Sequence, residues 1–209
     1  MSMTLAIIAF TVIVSLLALN DRRVFENLLF APYQMQMQRD WFRFLTHGFV
    51  HGGYLHLGIN MYVLWMFGRS VEADFASVTG RSSTLPFLLL YLGGLVLSSI
   101  PGYFKHRNDP AYRAVGASGA TSSVLFAYIL MEPTKRLYFL LFPFGEGIPA
   151  WGLGLLYLGY EWYMSKRGRD GIAHDAHYFG ALYGIAFTAI LDQHAVSRFI
   201  QTVFPNMLT

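Results

Sequence analysis

Ser118 lies in Gly116-Ala117-Ser118-Gly119, at the head of an apolar run. His177 lies in Ala176-His177-x-x-Gly180-x-x-x-Gly184, early in another. A hydroxyl nucleophile and an imidazole that can take its proton are the minimum parts of a hydrolytic centre. Both sit in stretches that read as membrane-spanning, so the chemistry they point to is hydrolysis of a peptide bond inside a bilayer. A lone serine in such a helix is most often a backbone-bonded packing residue. Here glycines flank it, and Gly116 and Gly119 permit a tight turn and close approach of a substrate backbone. The free N–H groups of a first helical turn, at the positive end of the dipole, could stabilise an oxyanion.

An ionisable residue within a span is costly and marks a functional site by default, which singles out His177. Gly180 and Gly184 form a small-residue face beside it, on which the spacing predicts that the Ser118 helix packs. Asp175 is two positions from His177 and faces away, while Glu161 and Asp192 lie near helix ends. The expectation is therefore a Ser-His dyad with no acidic third member. His56 and Asn60 share a helical face at i,i+4 spacing and could donate to the oxyanion, with His51 tying the preceding loop to the helix. A metal site from His47, His51, His56 and His174 is the rival. The H-E-x-x-H glutamate is missing and no carboxylate completes a zinc pattern, so no metal and no cofactor is expected.

The elements that must position these residues are read from composition. The chain has 209 residues, 55% hydrophobic and 13% charged, with a mean hydropathy of +0.41. A soluble domain carries about 25% charged residues, so the reading is an all-α polytopic membrane protein. No basic run suggests nucleic acid, and with no cysteine there is no disulfide framework or thiol nucleophile. Six spans are predicted: Met3–Leu19, Tyr54–Phe67, Leu85–Phe104, Gly116–Met131, Ile148–Met164 and Ile172–Leu191. The first, without a basic leader or A-x-A site, is expected to be retained. Leu137–Phe144 is too short to cross and is placed at the interface. Arg69–Thr84 and Pro101–Val115 read as loops, the aromatic connection Asn20–Val50 as a headgroup-level segment, and the tail after Asp192 as interfacial. The second, fourth and sixth spans enter from one face. Parity thus gathers His56 and Asn60, Ser118, and His177 near one surface, with His177 about 8 Å below its helix start.

Taken together, His51-x-x-x-x-His56-x-x-x-Asn60, Gly116-Ala117-Ser118-Gly119 and Ala176-His177-x-x-Gly180-x-x-x-Gly184 resemble the motifs of the rhomboid family of intramembrane serine proteases. The resemblance implies a six-helix rhomboid-like bundle with a membrane-embedded first loop. It implies one domain over residues 1–209 with its motif-bearing core at about 41–191, and no soluble accessory domain. Ser118 resembles the nucleophile and His177 its base. His56, Asn60 and the Ser118 N–H resemble the oxyanion hole, and Ser165–Gly171 part of a cap over the site. The implied partners are transmembrane protein substrates and the lipid bilayer. The alternative is a catalytically silent relative that binds transmembrane clients, a class that typically lacks the serine or the histidine. A small transporter is disfavoured, because no inverted repeat is present. Oligomeric state is not legible.

Two positions depart from the family pattern. Its adjacent Trp-Arg pair is split here as Trp41-Phe42-Arg43, and the aromatic that some members carry four residues after the nucleophile is Ser122. The resemblance also implies a plasma (inner) membrane protein with its site on the extracytoplasmic side. The loops on the Ser118 side carry ten Arg and Lys residues against five on the other. By the positive-inside rule that count favours the opposite orientation.

Overall fold

The computed structural model describes residues 2–138, 147–167 and 170–205. Ten α-helices occur among them: α1 Met3–Asn20, α2 Arg22–Leu28, α3 Pro32–Gln38, α4 Arg43–Thr46, α5 Tyr54–Thr79, α6 Thr84–His106, α7 Ser118–Met131, α8 Ala150–Arg167, α9 His174–Leu191 and α10 Ala195–Val203. A 3-10 turn at His47–Phe49 follows α4, and Arg136–Leu137 pairs antiparallel with Ile148–Pro149 between α7 and α8. The interfacial segment expected at Leu137–Phe144 lies largely outside the described residues, as do residues 168–169 of the expected cap.

Each of the six expected spans falls on a helix, α1, α5, α6, α7, α8 and α9. Two of them, α1 and α6, are long and apolar enough to cross a membrane by length and composition. The 14 residues of α7 rise only about 21 Å, short of a hydrocarbon core of about 30 Å.

Two expected loops are helical in part, the first of them for most of its length. α5 continues past Phe67 to Thr79, because Val71 and Phe75, one turn apart, are fully buried. It stops at Gly80, whose φ of +61° supplies the left-handed cap that ends helices. α6 likewise runs on through Pro101 to His106, with Lys105 and His106 in its last turn, where cations favour the dipole.

α7 is the central helix. Every residue from Gly119 to Leu130 except Tyr128 is buried, against α5, α6, α8 and α9. The core around it is built from Leu64, Phe75, Phe87, Leu90, Leu95 and Val124. α1 turns a polar face inward: Thr4, Thr11 and Ser15 are buried. Its N-terminus is held by Glu72 of α5, which accepts from Ser2 Oγ (2.7 Å), the Met3 N–H (3.0 Å) and the Thr4 N–H (2.6 Å). A carboxylate there also complements the helix dipole.

Candidate active site

The backbone just before α7 is held by the first connection at three points. The Phe30 N–H donates to Ala114 O (2.9 Å) and the Ala114 N–H to Phe30 O (3.0 Å). The Gly116 N–H donates to His47 O (2.9 Å). The aromatic connection thus braces the turn that presents Ser118. Arg43 pins the connection in turn. It is buried, and donates from Nη1 to Glu26 O (2.8 Å) and Leu29 O (2.9 Å) and from Nε to Asp40 (3.2 Å). Trp41 is half exposed against Phe44 and Tyr103. Splitting the Trp-Arg pair therefore leaves the arginine as the inner anchor and the tryptophan outside.

His51 reaches further than the loop attachment expected of it. Its Nε2 accepts from the Ala117 N–H (3.2 Å), and its Nδ1 lies 2.9 Å from Ser15 Oγ, which donates to Phe49 O (2.8 Å). An acceptor at Nε2 requires the proton on Nδ1, so this imidazole is neutral and bridges α1 to the residue before Ser118. Burial, and after it the nearby His56 and His47, lowers the His51 pKa to about 3. Burial lowers that of His47 to about 4 against the bond from its ring to Arg43 O.

In an unfolded chain both rings take up protons near pH 6.5, so between about pH 6.5 and 4 the unfolded state binds more protons than the folded one. Stability is then intact above pH 6.5 and falls as the pH drops below it. The thermal midpoint of the purified protein is expected to be lower at pH 5 than at pH 7.5, with about half of that difference removed in His47→Gln, since His51 supplies the rest. A midpoint that is flat over this range would contradict it.

Gly116 has φ +115°, a conformation that favours glycine, and a Cβ there would lie 2.8 Å from His56 Nε2. The His56 ring therefore lies over the turn that leads into Ser118. Its Nδ1 accepts from the Gly52 N–H (3.4 Å), which leaves Nε2 as the N–H donor. Asn60 is buried; its Nδ2 donates to His56 O (3.0 Å) and its Oδ1 accepts from Thr121 Oγ1 (3.3 Å).

Gly119 has a different task from the substrate approach expected of it. A Cβ there would strike Ser98 Oγ of α6, so it is a helix-packing glycine. The small-residue face of α9 does meet α7: a Cβ on Gly180 would fall on Gly119 O and one on Gly184 on Ser123 O. Ser123 Oγ donates to both Gly119 O and Gly180 O (2.9 Å each), stitching the two helices. α9 begins at His174, two residues later than expected, so His177 is one turn in, about 4.5 Å from the start rather than 8 Å.

These placements bring Ser118, His177, His56 and Asn60 to the wall of one cavity of about 960 Å³, with Thr121, Ser122, Tyr157 and Glu161. The absence of an acid beside His177 is overturned. Glu161, buried near the end of α8, has Oε1 3.2 Å from His177 Nδ1, although that N–H does not point squarely at it. Its Oε2 lies 2.6 Å from His174 Nδ1. α8 ends where α9 begins, so a carboxylate at the close of one helix sits beside the first turn of the next. Asp175 turns away as expected, to Lys105 Nζ at 3.1 Å.

Ser122 also gains an explanation. Its Oγ is 2.6 Å from Tyr157 Oη, so the aromatic beside the cavity comes from α8, not α7. Tyr157 and Glu161 are one turn apart on α8, a polar pair that the apolar reading of this helix passed over.

Two histidines of the rival metal set are otherwise engaged, His47 with Arg43 O and His51 with Ala117 and Ser15. The cluster that forms among the described residues, Glu161 with His174 and His177, has its ligand atoms within 4.8 Å of one another. The His174–Glu161 hydrogen bond accounts for that closeness.

A family model described as the rhomboid domain matches residues 38–194. The presenilin-associated rhomboid-like protein A, mitochondrial, of Danio rerio is 34% identical over 146 residues, covering 66% of this chain and 34% of that one. The rhomboid protease GluP of Bacillus subtilis (strain 168) is 35% identical over 115 residues, 55% of this chain and 19% of that one. RHOMBOID-like protein 12, mitochondrial, of Arabidopsis thaliana is 27% identical over 145 residues, 66% of this chain and 42% of that one. The matched stretch is thus less than half the length of each of these relatives.

Proposed function

The chain belongs to the rhomboid family, and from that premise we propose that it is an intramembrane serine protease that cleaves transmembrane segments of other proteins. Rhomboid proteins act on transmembrane substrates within the membrane, and the family includes serine proteases. The observation that carries the reading for this chain is that Ser118, His177, His56 and Asn60 meet at one cavity, although they come from three separate helices. Ser118 is the nucleophile and His177 its base. His56 Nε2, the amide of Asn60 and the Ser118 N–H stabilise the oxyanion, while Gly116, Gly119, Gly180, Gly184 and His51 hold the backbone that presents them.

The six long helices form the membrane bundle in this reading. With the far end of α7 at one surface, its first residue sits about 9 Å below the other, at a depth where a cavity must admit the attacking water. The site faces the extracytoplasmic side. Of the basic residues that argue otherwise, Arg43 is buried on carbonyls and Lys105 is paired with Asp175, so neither is a free orientation signal. The expected plasma membrane finds no support in the relatives, two of which carry mitochondrial in their names.

A fluorophosphonate probe tests the reading on the purified chain: labelling of Ser118 is expected. A protein that stays unlabelled while binding transmembrane clients would be the silent relative instead. The oxyanion assignment has its own check. Asn60→Ala and His56→Ala are each expected to lower kcat by about 10²–10³, with labelling slowed but kept. The double mutant falls short of the product of the two, because the Ser118 N–H remains as a third donor. Full kcat in the double mutant would place the oxyanion hole elsewhere.

A further inference from the structure

We propose that Glu161 is a positioning residue that extends the Ser118–His177 pair into a three-membered relay, with His174 and Asp170 holding it in place. The inference rests on the protease reading above and deepens it. A carboxylate buried to 5% exposure is costly unless its oxygens find donors. Here Oε2 takes His174 Nδ1 at 2.6 Å, and Oε1 faces His177 Nδ1 at 3.2 Å. His174 Nε2 lies 3.1 Å from Asp170 Oδ2. Acid and imidazole therefore alternate along Asp170, His174, Glu161 and His177. A ring with a carboxylate at each nitrogen donates from both, so His174 balances the Glu161 charge and fixes which oxygen turns toward His177.

The consequence for His177 is chemical. A carboxylate at Nδ1 selects the tautomer protonated there and leaves the Nε2 lone pair for the Ser118 hydroxyl. When Oγ forms its bond to the scissile carbonyl carbon, its proton passes to Nε2. The imidazolium so formed stands beside Glu161, which stabilises it without accepting the proton. The proton then goes from Nε2 to the leaving amine as the C–N bond breaks, and His177 is neutral again. In the resting structure the Nδ1 N–H is buried and has no well-directed acceptor. Such bonds tighten as charge develops. The titratable groups around His177 are Glu161 from α8, His174 from α9 and His56 from α5.

The experiment compares the full-length wild type with Glu161→Gln, Glu161→Asp and His174→Gln. It reads kcat, KM, thermal midpoint, fluorophosphonate labelling rate and the pH dependence of kcat/KM on one transmembrane substrate. Glu161→Gln keeps the shape and removes the charge. It is expected to lower kcat by about 10²–10⁴-fold, as loss of the carboxylate does in Ser-His-carboxylate sites, with KM little changed. Its acid limb should move to lower pH, because the imidazolium has lost its counter-charge. Glu161→Asp should recover part of kcat, and His174→Gln should fall between wild type and Glu161→Gln.

Wild-type kcat with an unmoved acid limb in Glu161→Gln overturns the relay. So does a loss of activity that only tracks a loss of thermal stability, which would assign Glu161 to the joint between α8 and α9. Failure of the underlying reading shows separately, as a wild type that the fluorophosphonate does not label. Failure of the relay alone leaves wild type and Glu161→Gln labelled at the same rate.

Discussion

Ser118→Ala is expected to end cleavage of a transmembrane substrate and to leave the fold in place. Removing one oxygen deletes the proposed nucleophile, and knocking out the serine of such a centre costs about 10⁶ in kcat. The structural cost is small. Ser118 is only the first residue of α7, and the backbone contacts that fix the turn run through Ala114, Gly116 and Ala117, not through its side chain. The thermal midpoint should stay within about 2 °C of wild type, the shift that a few tenths of a kcal/mol produces. Turnover by purified Ser118→Ala that matches the wild type would end the assignment and move the chemistry to another residue.

The second large effect comes from a residue without a side chain. Gly180→Val places a branched group where the Gly119 carbonyl already sits. Overpacking of a well-filled core costs about 1–3 kcal/mol and occasionally more. The upper end or beyond applies here, because the obstacle is backbone and cannot rotate away. α9 must shift off α7, and His177, one turn before Gly180, shifts with it. The expected result is a lower thermal midpoint together with turnover near the Ser118→Ala floor. Gly184→Val meets Ser123 O in the same way but a turn further from the histidine. It should cost similar stability and less activity. If both variants melt and turn over as wild type does, the close contact between these helices is absent in solution.

The residues that meet at the cavity were legible in the sequence because each carries a cost that apolar segments rarely accept: a histidine in a span, an asparagine one turn from another histidine, a serine between glycines. The Gly180–Gly184 face was legible for the same reason, since small residues four apart have a packing meaning. Glu161 was missed although the same reasoning reaches it. Parity places the start of α9 and the end of α8 side by side, so a carboxylate near a helix end is near the site when that end is the site's end. Tyr157 was missed because an aromatic in an apolar helix looks like core, and only its hydroxyl contact with Ser122 separates the two. Ser15 was out of reach altogether, since its partner His51 is 36 positions away and no periodicity connects them. Helix lengths erred where charges stood in for loops. The polar residues of Arg69–Thr84 read as a loop, yet Val71 and Phe75 kept α5 folded against the core.

The bridge from Ser15 through His51 to Ala117 bears on where the working unit of this protein begins. The recognisable family region starts at residue 38, and every motif lies after that point. A chain trimmed to it would keep the proposed nucleophile, base and three oxyanion donors, yet it would lose the oxygen that orients His51 and the helix N-terminus that Glu72 grips. The boundary of homology and the boundary of mechanical sufficiency differ by the three helices α1 to α3. Excising the family region as a minimal enzyme would retain the reacting groups and release the turn that aims them.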